Sequence, residues 1–243
     1  MNPVAITGLG LVGAPGRARA DHLTALREGR CGLVKRDDPR FPLAGGLALG
    51  WCDADLPAAP SRCAALGLAA AGDALAEASL PTPPDLIVAT TTAGMAESER
   101  VYLSPRRDEG REVYRRHPCG ALADDLTVGL GMGRARAVHA LACASSAAAL
   151  IDAVERVRAG FTTAVLVVGC DANTRTTMAG FSALQVVDAE GCRPLCADRA
   201  GMSLGEGAAA LVLEDLVAAQ RRGARILATI AGWGLRADAH HAT

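Results

Sequence analysis

The run Ala137-Val138-His139-Ala140-Leu141-Ala142-Cys143-Ala144-Ser145-Ser146 writes a strand-to-helix junction into the chain. An extended apolar segment enters a cysteine, and an amphipathic helix follows at once. Ala147, Leu150, Ile151, Val154 and Val157 fall on one helical face, and Gly160 is a good stop. Such a bend exposes the sulfur at the carboxyl end of a strand, where open α/β sheets place their sites. The helix N-terminus aims free N–H groups and partial positive charge at it. Both effects favour thiolate, the form that attacks carbonyls. On spacing alone a buried structural thiol is an equal reading of Cys143. His139 is a tempting base, but four extended residues put it roughly 13 Å away along the chain. It reads as a core or interface histidine.

Working outward, short apolar runs alternate with helical patterns. The strand candidates are Val4–Thr7, Leu86–Thr91, Ala135–Ala142, Ala164–Gly169, Ala208–Leu213 and Arg225–Ala231. Several, such as residues 164–168, are apolar on both faces, as strands covered on both sides by helices are. Further helices are expected from about Ser61 to Ala78 and from Asp215 to a stop at Gly223. The class is therefore α/β with a mostly parallel or mixed sheet. The charged segment Glu97–Pro118 reads as a surface excursion, either a solvated face or a contact for an acidic partner.

Composition narrows the function. Half of the 243 residues are hydrophobic, enough for a sizeable core in one or two domains. Basic and acidic residues nearly cancel, 25 against 26, and aromatics are only 3%, so neither charge nor stacking favours a nucleic-acid partner. No apolar run of about 18 residues is free of charge or breaks, so no membrane span is expected. The opening residues lack the pattern of a secretory signal, which makes the cytoplasm the expected compartment. The eight cysteines are scattered, and the pair Cys192 and Cys196 lacks a second pair at zinc-site spacing. No metal is expected.

Residues Gly8-Leu9-Gly10-Leu11-Val12-Gly13 fit the G-x-G-x-x-G turn of dinucleotide-binding folds, and with it an NAD(P)-dependent oxidoreductase. The context fails: Pro15 and Gly16 oppose the helix that should open there. The competing reading is a tight strand-to-loop turn that needs small residues.

At Ala142-Cys143-Ala144-Ser145-Ser146 the chain resembles the nucleophile motif of the β-ketoacyl synthases, in the thiolase-like superfamily. Three further stretches keep the family's order. Val4-Ala5-Ile6-Thr7-Gly8-Leu9-Gly10 resembles its first strand. Arg193-Pro194, Arg199, Gly201 and Gly205-Glu206-Gly207 resemble the segment before a late strand. Asp238-Ala239-His240-His241-Ala242-Thr243 is similar to its D-A-x-H-x-T.

The resemblance implies a thiolase-like α/β fold, a mixed sheet covered by helices on both faces, as the first of two pseudo-repeats. Residues 1–232 would be the N-terminal domain and 233–243 the start of a truncated second half, whether by fragmentation or as a natural split. It implies decarboxylative Claisen condensation of an acyl thioester with malonyl-acyl carrier protein, in fatty acid or polyketide synthesis. Cys143 would be the nucleophile and His241, not His240, the catalytic histidine. The backbone N–H of Cys143 would help hold the oxyanion. Phe181 aligns with a segment lining the acyl pocket, though a plain core aromatic fits equally; Ala142 and Ala144 would let substrate approach. No cofactor is implied beyond the phosphopantetheine of the acyl carrier protein. The implied partners are that carrier and a second subunit, in a homodimer or in a heterodimer with a chain-length partner. A non-catalytic chain-length subunit and a thiolase are the nearest alternatives. The family commonly has aspartates where Cys196 and Ala200 stand, which puts the fine geometry of that loop in question.

Overall fold

Strands that are apolar on both faces demand cover on both sides, and the fold supplies it. The computed structural model describes residues 3–38, 41, 46–104, 110–133, 135–237 and 239. In chain order the elements are β1 (Val4–Val12), α1 (Arg19–Arg27), β2 (Leu33–Lys35), β3 (Ala48–Gly50), α2 (Arg62–Ala78), β4 (Asp85–Ala89), α3 (Met95–Tyr102), α4 (Arg111–Tyr114) and α5 (Cys119–Gly129). They continue with β5 (Ala135–His139), a 3-10 turn (Ala142–Ala144), α6 (Ser145–Arg158), β6 (Ala164–Asp171), α7 (Arg175–Ala183), β7 (Gly207–Asp215), α8 (Leu216–Arg221) and β8 (Ala228–Ile230).

The main sheet has the order β5-β4-β6-β7-β1-β8. β4 runs parallel to both β5 and β6, while β6–β7, β7–β1 and β1–β8 are antiparallel. The sheet is therefore mixed. Period-2 alternation divides its residues between two cores. Leu86, Val88, Leu166, Val168 and Val212 pack with α2 and α5 on one face. Ile87, Ala89, Val165, Val167 and Leu213 pack with α6 on the other.

Several elements differ from the sequence expectations. β1 does not stop at Thr7. It runs to Val12, through the glycine motif expected to form a turn. The cause is α2, which crosses β1 at backbone contact. A Cβ on Gly8 would stand 2.1 Å from the Ala74 carbonyl oxygen, and one on Gly10 1.9 Å from that of Ala70. The glycines let a helix rest directly on a strand, and no helix opens at their end. β5 stops at His139, short of Ala142, because the chain turns into the 3-10 segment. The last strand shrinks to Ala228–Ile230, an edge paired only with Val4–Ile6. The charged excursion is partly helical, as α3 and α4, with residues 105–109 outside the described set. On α6 the deeply buried residues are Ala149, Ala153, Val154 and Val157, whereas Ala147 is exposed and Leu150 and Ile151 are half-buried.

Ser61 caps α2 by accepting from the Ala64 N–H at 3.1 Å. Arg222 closes its other end, donating to the carbonyls of Ala78 (2.8 Å) and Ser79 (3.2 Å). Arg222 also pairs with buried Glu214 at 2.6 Å, and Thr7 hydrogen-bonds the same carboxylate. The hydrogen bonds Arg222 donates to Glu214 hold its guanidinium above its ordinary pKa.

Candidate active site

The carboxyl ends of parallel β4 and β6 open on one cleft of about 510 Å³. Cys143 lines it, together with Thr91, Asp171, Phe181, Ser146 and Met202. The Cys143 thiol is free and exposed. Ala142, just before it, has φ +48°, a left-handed backbone that a residue with a Cβ rarely adopts. Such a bend persists only where its surroundings hold it.

Ser145 holds this one. Its hydroxyl accepts from the Leu141 N–H at 2.8 Å and donates to the Ala142 carbonyl at 2.7 Å. The serine is 4% exposed, so the bridge is shielded from competing water. The Thr91 hydroxyl reaches the same carbonyl at 3.4 Å. The cysteine thus stands on a pinned turn two residues before α6, within reach of the helix's unpaired N–H end.

Asp171, the last residue of β6, organises the facing wall. Its Oδ1 accepts four hydrogen bonds: from the Thr90 hydroxyl, the Thr91 and Thr92 backbone N–H groups, and the Thr92 hydroxyl, all between 2.8 and 2.9 Å. Through Thr91 the network touches the turn that carries Cys143. Sequence reasoning missed this hub. Its parts stand in the sequence, a threonine triplet after one apolar strand and an aspartate closing another, but not the fact that the two strands are neighbours. An Asp171→Ala variant would leave those donors unsatisfied. It should lose about 2 kcal/mol of stability in urea unfolding and slow the alkylation of Cys143, with Asp171→Asn intermediate because its amide oxygen can still accept.

Glu206 shapes the far rim between two glycines. Its buried carboxylate accepts from the Cys52 N–H (3.1 Å), the Asn173 N–H (3.5 Å) and Arg62 Nη2 (2.7 Å). Gly205 abuts Gly50, where a Cβ would lie 3.3 Å from the Gly50 Cα.

Ala142 and Phe181 line the cleft with Cys143, and Met178 lies beneath it, 1% exposed. Ala144 is exposed on the turn and does not line the cleft; Ser145 and Ser146 flank the cysteine there instead. His241 lies outside the described residues. His139 does not line the cleft. Its Nε2 sits 3.1 Å from Asp152, which Arg156 also holds at 2.7 Å. Burial alone would raise the Asp152 carboxyl, but hydrogen bonds from Arg156 and His139 outweigh it and keep the group below its ordinary pKa. The loop carrying Cys196 and Ala200 is tied by Arg193, which pairs with Asp198 at 2.6 Å and buried Asp188 at 3.4 Å. Among the described residues no cluster of three or more His, Cys, Asp or Glu could hold a metal.

Residues 58–219 match the family model for the β-ketoacyl synthase N-terminal domain. Nodulation protein E of Rhizobium sp. (strain N33) is 38% identical over 135 residues, covering 55% of this chain and 33% of that protein. The 3-oxoacyl-[acyl-carrier-protein] synthase 2 of Staphylococcus aureus is 36% identical over 124 residues, covering 49% and 31%. The solved structure of the ishigamide ketosynthase/chain length factor superposes with a TM-score of 0.85 at 29% identity, covering 99% of this chain and 65% of that one. The matched stretch is about a third of the length of these curated relatives.

Proposed function

The chain belongs to the β-ketoacyl synthase family, and from that premise we propose that it is the nucleophile-bearing half of a condensing acyltransferase. The observation that carries the reading is Cys143 on a pinned, left-handed turn at the mouth of a cleft. The Cys143 thiolate attacks the carbonyl of an acyl thioester on an acyl carrier protein and expels the pantetheine thiol. A malonyl thioester then loses carbon dioxide, and its carbanion attacks the acyl-cysteine carbonyl, returning the thiolate. The Cys143 N–H donates to the oxyanion of the first step. His241 stabilises the enolate oxygen and assists decarboxylation. Phe181 and Ala142 border the acyl chain. Residues from 233 on open the second half of the enzyme. No cofactor beyond the carrier's phosphopantetheine is required.

The carrier is the partner named in the relative from Staphylococcus aureus. A second subunit, identical or a chain-length partner, docks along the open edge of β5, one of the sheet's two outer strands and the one next to the Cys143 turn. An unpaired strand edge invites another chain. Among the described residues no helix is long and apolar enough to cross a membrane, and the compartment we propose is the cytoplasm.

The test uses exposure as its own control. Cys31, Cys143, Cys192 and Cys196 are all exposed. Iodoacetamide at neutral pH should alkylate Cys143 at least roughly tenfold faster than the other three, because only it of the four lines the cleft and stands two residues before a helix N-terminus, whose unpaired N–H groups face the attack. Equal rates at the four sites would refute an activated nucleophile.

A further inference from the structure

We infer that Cys63 and Cys170 form a reversible dithiol–disulfide site in the floor of the cleft, with a hydroperoxide as its oxidant. The two residues are 107 positions apart, in the first turn of α2 and near the end of β6, yet their sulfurs lie 3.7 Å apart. The Cys63 thiol donates to the Cys170 carbonyl at 3.2 Å and stands 3.9 Å from the Thr90 hydroxyl. No other pair of cysteines among the described residues is joined by such a contact. Gly67, one turn along α2, makes the room: a Cβ there would meet the Cys170 sulfur at 3.0 Å. A disulfide needs about 2.05 Å between sulfurs, a closure of about 1.7 Å that two side-chain torsions can share.

Access separates the roles. Cys170 is 5% exposed and lines the cleft, whereas Cys63 is fully enclosed. Hydrogen bonding with Cys170, then burial, raises the Cys63 thiol well above its ordinary pKa; the neighbouring Asp171 pushes the same way and the Thr90 hydroxyl opposes it. Cys170 therefore meets the oxidant and Cys63 resolves. The Cys170 thiolate attacks one peroxide oxygen and the O–O bond breaks. This leaves a sulfenic acid and, after protonation, water or an alcohol. The Cys63 sulfur then attacks the sulfenic sulfur: the S–S bond forms, the S–O bond breaks, and water leaves. Two thiols and hydrogen peroxide give one disulfide and two waters, and an external dithiol returns the two electrons. The site adjoins Asp171, so its redox state acts on the wall facing Cys143. The inference stands whether or not the chain transfers acyl groups.

Trypsin places the two cysteines alone in separate fragments, 63–100 and 159–175, with Cys143 in a third, 137–156. The intact 243-residue chain would be treated with hydrogen peroxide, alkylated, digested and weighed. The expected product joins fragments 63–100 and 159–175, lighter than their sum by two hydrogens, and dithiothreitol separates them. Gly67→Ala should cut its yield roughly fivefold or more by displacing the Cys170 sulfur. Both fragments remaining fully alkylatable while 137–156 oxidises would overturn the site, as would fragment 159–175 joined to 137–156. An undiminished yield in Gly67→Ala would equally refute the geometry.

Discussion

Replacing Cys143 with alanine is expected to drop acyl transfer from an acyl carrier protein thioester to background, a loss of at least about 10³-fold. No neighbour can take over. Ser145 spends its hydroxyl bridging Leu141 and Ala142. Ser146 packs its Oγ against Gly169, where a Cβ would come within 2.6 Å. Of the remaining thiols in the core, Cys170 reaches only the cleft floor, and Cys63 and Cys52 are buried. The fold should not notice: the side chain is exposed, and unfolding free energy should stay within about 0.5 kcal/mol. Mass spectrometry of the acylated chain measures the first step. His241→Ala, in a full-length enzyme, should keep that acylation and lose condensation. Survival of both steps would strip His241 of its assigned role, and acylation of Cys143→Ala would strip Cys143 of its own.

The second large effect concerns the fold. Gly10→Ala is expected to cost more than about 3 kcal/mol, enough to abolish cooperative unfolding or leave the chain insoluble. The new methyl would stand 1.9 Å from the Ala70 oxygen and 2.8 Å from its carbonyl carbon. These are backbone atoms in the middle of α2, so no rotamer change relieves the clash and the helix must lift off β1. Gly13→Ala is the control. Its Cβ would meet nothing closer than His22 at 3.5 Å, an ordinary contact, and urea unfolding should change by less than about 0.5 kcal/mol. A dinucleotide-binding turn would need all three glycines of the motif. A Gly10→Ala variant as stable as the parent would remove the close approach as the reason for these glycines.

That contrast also shows where sequence reading reaches its limit. The two-faced strand at residues 164–168, the alanine-rich helix from Arg62 and the cysteine between strand and helix were legible, because local periodicity alone encodes them. Gly8 and Gly10 were misread, because their cause lies some 60 residues away on α2 and no local pattern records it. The inward face of α6 was only partly assigned, for a related reason: Val154 and Val157 are buried as expected, but Ala147 is exposed and Ala149 and Ala153 take its place. The largest apolar residues suggested one stripe, but small Ala149 and Ala153 are what lets the helix approach the sheet. At the site, Cys143 was visible as a junction. Asp171 was not, since its worth depends on two strands being neighbours.

The bridge made by Ser145 separates how the sulfur is presented from the sulfur itself. What holds the bend at Ala142 belongs to residues 141, 142 and 145, with Thr91 reaching the same carbonyl, and none of it to the side chain at 143. A descendant could therefore exchange its reactive atom in one mutational step and keep an intact, substrate-shaped scaffold. Duplication of such a gene, followed by that single exchange, would yield a silent sister with the same cleft and the same bend but no thiol at its mouth.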